Sequence, residues 1–261
     1  MSPSSEGYLQ FTAYASEPGG LTRLDAVIDA VERFRAGRPA SAIPILDVGC
    51  GTGNLAKPLA SLGYPMLGID IDGASVEEAA RDARLPNARF AQADPLTYRS
   101  ESLYGVVVLS EVLEHLPEPA RMLNHLHELL VPGGLLVLTV PNGYGPWEAM
   151  NFAKKALARC GLGGPLLAFQ RAFGFGKATL QSRNPHLEHV QFFTRHKLRK
   201  LVSQAGFDVA RERNLSTLIG VFPFSWLFRR TPALEALDRG LAAWLPAPLA
   251  SSWLLELRRR D

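Results

Sequence analysis

An apolar run from Ile43 to Val48 ends in glycines at alternate positions, Gly49, Gly51 and Gly53, and Leu55, Leu59 and Leu62 then recur at helical spacing before Gly63. That order reads as strand, glycine loop and helix, with Gly63 as the helix stop. A chain that passes from strand to helix through such a loop belongs in a wound parallel sheet, whose ligands bind at the carboxyl ends of the strands. The alternation continues downstream. Tyr64 to Ile71 contains a second strand, Ala88 to Ala93 a third, and Leu103 to Leu109 a fourth, apolar throughout and therefore buried on both faces. Pro119 to Leu130 presents Met122, Leu123, Leu126, Leu129 and Leu130 as one helical face, stops at Val131 to Gly134, and leads into a fifth strand at Leu135 to Val140. Thr194 caps a later helix that ends at Gly206, and Phe207 to Arg213 and Ser252 to Arg258 read as the last strands. Ahead of the first strand, Leu24, Ile28, Val31 and Phe34 predict an amphipathic helix, preceded by Tyr8, Phe11 and Tyr14, which packs on the sheet or covers the ligand mouth. The fold class predicted is α/β, a doubly wound sheet with helices on both faces.

Composition agrees with one folded unit. In 261 residues, 47% are hydrophobic and 20% charged, enough for a full core and far from the disordered, collagen-like or coiled-coil classes. The two cysteines, Cys50 and Cys160, make no disulfide framework, and the first residues lack the basic start and apolar run of a signal peptide, so a cytoplasmic protein is expected. Charge is uneven. Residues 1–144 hold 10 basic and 17 acidic side chains, whereas 145–200 hold 10 basic and 2 acidic. The acidic first half disfavours a long polyanion, so no nucleic-acid partner is expected. The charge-free stretches Asn214 to Phe228 and Gly240 to Leu255 are interrupted by proline and fall short of the roughly 20 residues that a membrane span needs.

The loop is selective about its ligand. A dinucleotide fingerprint is G-x-G-x-x-G, and here the third glycine arrives one residue early; no Gly-Lys-Ser/Thr follows, so a P-loop fails too. Asp47, just before the loop, repels a pyrophosphate and suits an ammonium group. Asp70 ends the second strand, where a carboxylate can accept from two ribose hydroxyls, and Asp94 follows the third strand, placed to accept from an adenine amino group. Each alone is an ordinary turn aspartate. Together they mark one sheet edge, with Asp72 as a second candidate for the role of Asp70.

Ile45 to Gly53 (ILDVGCGTG), Gly68-Ile69-Asp70, Gln92-Ala93-Asp94, Ser110 to Leu116 (SEVLEHL) and Val131 to Val140 resemble the class I S-adenosylmethionine-dependent methyltransferases, in the small-molecule branch of the ubiquinone-biosynthesis type. The match covers residues 40–142 in motif order, and His189 to Val209 extends it. The resemblance implies a seven-stranded sheet, mostly parallel with the last strand antiparallel, and S-adenosylmethionine as cofactor. It also implies that Asp47, Gly49, Gly51 and Gly53 hold the methionine end, Asp70 the ribose, Asp94 the adenine, and Ser110 or Glu111 the ammonium. One domain follows: an N-terminal cover (1–39), the cofactor core (40–142), a helical insert or acceptor lid (143–190), and C-terminal helices and strands (191–261).

Methyl transfer is an in-line displacement, helped by a general base when the acceptor is a hydroxyl. Histidine suits that task near neutral pH. His115, just past the fourth strand, is the first candidate; His186 and His189, after the insert, are candidates to line the acceptor pocket, and His189 is the second catalytic choice. His125 and His127 read as packing or solvent positions. His186 and His189 with Glu188 or Glu114 lack a placeable third ligand, so no metal site is expected. Cys50 reads as a small residue filling the loop, without a partner that would make it a nucleophile. The insert mixes basic and large apolar residues, as do Phe222 to Arg230 with Trp244 nearby, a pattern of lid helices or of a peripheral membrane contact. The function expected is methyl transfer to oxygen of a small-molecule, lipid or sugar-derived acceptor; the alternative is a noncatalytic protein of the same fold that docks a partner or membrane.

Overall fold

Seven strands form one sheet in the order β3-β2-β1-β4-β5-β7-β6. The computed structural model describes residues 8–14, 19–81, 85–161, 189–219, 221 and 232–261. The strands are β1 (Ile45–Val48), β2 (Met66–Asp70), β3 (Ala88–Gln92), β4 (Tyr104–Ser110), β5 (Leu130–Pro141), β6 (Phe207–Ser216) and β7 (Ser252–Arg259). β1 pairs in parallel with both β2 and β4, while β7 runs antiparallel between β5 and β6. The winding therefore reverses between β1 and β4, and the glycine loop leaves the sheet at that switch point.

The helices are α1 (Gly20–Arg35), α2 (Ala56–Ser61), α3 (Gly73–Ala80), α4 (Pro119–Leu129), α5 (Pro146–Arg159), α6 (Arg195–Gln204) and α7 (Pro232–Trp244). The apolar run of β4 divides by its period of two between the sheet faces. Val106 and Val108 join the core under α1 and α2, with Leu24, Ile28 and Leu59; Val107 and Leu109 join the core under α4 and α6, with Met122, Leu126, Leu198 and Trp253. A central strand covered on both faces has no position left for a polar residue, which is why this segment does not alternate.

The α/β class, the seven strands and the antiparallel last strand stand as expected. Several bounds differ. β5 begins at Leu130, which pairs with Tyr104 before a register shift sets Leu135 opposite Val106, so the Val131 to Gly134 turn bulges within the strand. β6 runs on to Ser216. α3 and α7 were not predicted; Asp72 starts α3 by accepting from the Ala74 backbone N–H and the Ser75 hydroxyl. α5 is the described part of the insert, and residues 162–188 and 222–231, with His186 and the Phe222 to Arg230 segment, lie outside the described residues. Among the described residues, no helix is long and apolar enough to cross a membrane.

Leu109→Ala removes a fully buried side chain from the central strand. It is expected to destabilise the protein by about 2–5 kcal/mol, measured by urea unfolding.

Candidate active site

The carboxyl edge is assembled from backbone first. Gly49, Gly51 and Gly53 all take positive φ, and a Cβ on Gly49 would lie 2.4 Å from Val112 Cγ2, so the close approach of the loop to the turn after β4 requires glycine there. Asp70 Oδ2 accepts from Gly51 N–H at 2.8 Å and Oδ1 from Asp72 N–H at 2.9 Å, which ties the end of β2 to the loop. Asp72 caps α3, accepting from Ala74 N–H and the Ser75 hydroxyl. Asp94 is exposed beyond β3, where its carboxylate accepts from Leu96 N–H at 2.9 Å and shapes the following turn. The segment ahead of α1 crosses the loop on the outside: the Thr12 hydroxyl donates to the Asn54 carbonyl, and Ala13 N–H to Asn54 Oδ1 at 2.8 Å.

Asp47 is 2% exposed, and its Oδ2 has no hydrogen-bond partner among the described residues. Burial, and after it the charge of Asp70, push its carboxyl up to about 7. A cation bound at the loop would favour the ionised form, and so the donor set and the glycine cradle fit the ammonium head and sugar of the cofactor that the resemblance implies.

At the end of β4 a polar chain begins. Thr139 Oγ1 donates to Glu111 Oε1 at 3.0 Å, so the 2.8 Å contact between Ser110 Oγ and Thr139 Oγ1 has Ser110 as donor. Glu111 takes φ +55°, rare for a residue with a side chain, and its other oxygen lies 3.5 Å from Arg23 Nη2 on α1. Arg23 carried no signal in the sequence beyond an amphipathic helix.

A second cluster follows directly. Glu114 and His115 occupy a short 3₁₀ turn after β4 (Leu113–His115), and Val190 and Gln191 both donate their N–H to the Glu114 carbonyl, at 3.0 and 2.9 Å. This docks the His189 segment on the turn. The imidazoles of His115 and His189 meet edge on at 5.1 Å between ring centroids, Trp147 lies 5.3 Å from His189, and His189 Nδ1 is 2.7 Å from Glu148 Oε1 on α5. Glu114 is 1% exposed, and burial, then repulsion from Glu111, push its carboxyl well above the usual range, which favours its protonated form. Glu114, His115 and His189 each offer one ligand atom, all within 4.8 Å of one another. His115 is thus the third group that His189 and Glu114 lacked in the sequence, although His189 Nδ1 is already taken by Glu148.

The remaining candidates lie elsewhere. His125 is buried beside Arg99, and His127 donates to the Arg260 carbonyl at 3.2 Å and packs edge on against Phe207, so both are structural. Cys50 is buried in the loop, and burial pushes its thiol far above the range of a reactive thiolate.

Residues 21–212 match the model of a family described as a methyltransferase domain. The chain belongs to that family. Similar proteins include ubiquinone biosynthesis O-methyltransferases from Caulobacter sp. (strain K31), 34% identical over 42% of this chain and 46% of the relative, and from Caulobacter vibrioides, 29% identical over 56% and 67%. The chain spans about half the length of most relatives of this name. Among solved structures, magnesium protoporphyrin IX methyltransferase from Synechocystis PCC 6803 with bound SAH shares the fold at TM-score 0.54 and 20% identity, covering 92% of this chain and 84% of that one. A protein described as a sarcosine dimethylglycine methyltransferase from Galdieria sulphuraria shares it at TM-score 0.59 and 16% identity, covering 93% and 87%. The glycine loop therefore stands at the switch point of a shared fold.

Asp47 makes that loop sensitive to pH. An unfolded aspartate ionises near 3.8, the folded one near 7, so between those values the folded state holds a proton that the unfolded state lacks. Stability conferred by this site falls as pH rises through that window and levels off above it. Asp47→Asn removes the slope. Without ligand, the variant is expected to exceed the parent in urea stability at pH 8 by at most about 4 kcal/mol, with the gap narrowing toward pH 5.

Proposed function

We propose that this chain transfers a methyl group from S-adenosylmethionine to a hydroxyl of a small-molecule or lipid acceptor. The observation that carries the reading is the glycine loop at the end of β1, tied through Gly51 to Asp70 and underlain by the buried Asp47. Bound S-adenosylmethionine supplies a methyl group activated by a sulfonium; the chain supplies binding and alignment. The backbone of Gly49, Gly51 and Gly53 takes the methionine end, with Asp47 beneath it. Asp70 keeps lone pairs beyond its two backbone bonds and receives the ribose hydroxyls, and Asp94 receives the adenine amino group. Glu111 with Arg23 forms a carboxylate and guanidinium pair that matches a zwitterionic amino-acid head, the ammonium at Ser110 and Glu111, the carboxylate at Arg23.

The acceptor lies at the His115 and His189 cluster, beside α5. His115 or His189 takes the proton of the acceptor hydroxyl while the chain holds oxygen and methyl at roughly 3–3.5 Å. The relatives named ubiquinone biosynthesis O-methyltransferases support an oxygen acceptor. A relative named trans-aconitate 2-methyltransferase, 34% identical over 121 residues, shows how widely acceptors vary around one core. Trp244 is 91% exposed and Phe152 77%, and with the basic excess of residues 145–200 they support peripheral contact of a cytoplasmic enzyme with an anionic membrane surface.

Calorimetric titration with S-adenosylmethionine, S-adenosylhomocysteine and NADH tests the reading. Binding of the first two alone is expected; NADH binding, or no binding, overturns it. Asp70→Ala is expected to weaken S-adenosylhomocysteine by about 2–4 kcal/mol. Asp72→Ala should lose about 1 kcal/mol of stability with its helix cap and leave that affinity unchanged. His115→Ala is expected to lower turnover about a hundredfold on the acceptor that a screen of lipids, quinols and sugars returns, while S-adenosylhomocysteine binds as before; unchanged turnover would remove His115 from the chemistry.

A further inference from the structure

Glu148 stands in the first turn of α5, behind Pro146 and Trp147. An acid there commonly reaches back to its own helix start, but the N-cap of α5 is Gly145 and Glu148 is turned to His189 instead, 2.7 Å from Nδ1. The two side chains are 12% and 21% exposed. An ionised carboxylate only accepts, so the proton of this bond sits on Nδ1, and Nε2, across the ring, carries the lone pair. A charge-assisted bond of this length, largely out of water, holds both partners in place.

His189 is located by three elements. Glu148 and Trp147 face it from α5, His115 from the turn after β4, and the N–H groups of the next two residues, Val190 and Gln191, bond to the carbonyl of Glu114 on that same turn. Two imidazoles therefore meet in one cluster, and the carboxylate of Glu148 is in direct contact with the ring of His189.

We propose that Glu148 is the positioning residue of the acceptor site: its carboxylate keeps the proton of His189 on Nδ1, leaves Nε2 as the basic nitrogen, and offsets the positive charge that the ring gains on taking a proton. This rests on the reading that His189 lines the acceptor site. The logic is that of a histidine oriented by a buried acid. A purely structural bond between α5 and the 189–193 segment would hold the same tautomer, since an ionised carboxylate only accepts; turnover therefore separates the two roles.

The experiment is long-range proton–nitrogen NMR of the full chain with nitrogen-15 histidine and no ligand added, His189 being assigned by its loss in His189→Gln. The parent is expected to show the Nδ1–H form of His189 above the pH at which the ring loses its second proton. Glu148→Leu is expected to move it to the Nε2–H form that free imidazole favours. Glu148→Gln keeps an acceptor but no charge; it should retain the Nδ1–H form and lower kcat about tenfold on the acceptor that the screen returns, with KM and S-adenosylhomocysteine affinity as in the parent. A parent in the Nε2–H form overturns the proposal, and so does a Glu148→Gln protein with the kcat of the parent. The second result stands even if Glu148→Leu does not fold. Calorimetry with S-adenosylhomocysteine on the parent separates the two levels: absent binding there sinks the methyl-transfer reading, while with binding intact the tautomer and kcat results decide the role of Glu148.

Discussion

One side chain joins the two halves of the cofactor edge. Asp70 receives the N–H of Gly51 from the loop after β1 and the N–H of Asp72 from the turn into α3, so a single carboxylate sets where two βα connections stand. A carboxylate in two backbone bonds is strongly held, and the loop it holds is built from glycines whose positive φ values allow the chain to turn beside Val112. From that junction the site grows outward: Asp47 below the loop, the Thr12 and Asn54 contacts above it, and Ser110, Glu111 and Thr139 at the neighbouring strand ends.

The second junction is made of backbone alone. The Glu114 carbonyl accepts from Val190 and Gln191, and this places His189 against a turn 74 residues earlier in the chain. Secondary structure on either side does not require that contact. It depends on where α6 and β5 put the ends of the 189–193 segment, with Phe193 buried among Leu198, Leu123 and Leu138 as the apolar anchor. The His189 segment is thus positioned by packing and a pair of long-range hydrogen bonds, whereas the glycine loop is positioned by the sheet. A fold can exchange the first while keeping the second, the physical basis for one core serving many acceptors.

That division also governs how much could be read from the sequence. β1, its glycines and the acids at the ends of β2 and β3 declare themselves because strand period, glycine and spacing are local signals. The all-apolar β4 told of burial on both faces for the same reason. α3 was passed over because its eight residues carry little beyond the Asp72 cap, and the start of β5 was set five residues late because a Pro-Gly-Gly turn masked a bulge. His115 was accessible through its place after β4. The company of His189 was legible only in Glu114: Glu148 and Trp147 come from α5, and no periodicity links them to it. Arg23 is the same case, a charge on a helix whose partner Glu111 is 88 residues away.

The charges of the cluster decide what it can do. Glu111 is compensated by Arg23 and Glu148 by the Nδ1–H of His189, while burial and the neighbouring acids favour the protonated form of Glu114. An ionised Glu114 would stand buried beside Glu111 and Glu148 with one oxygen lacking a partner, so neutrality is the cheaper state. This leaves the two imidazoles about 5 Å apart, with the ring of His189 against the Glu148 carboxylate, and the same contact that fixes the orientation of that ring also sets a negative charge beside it.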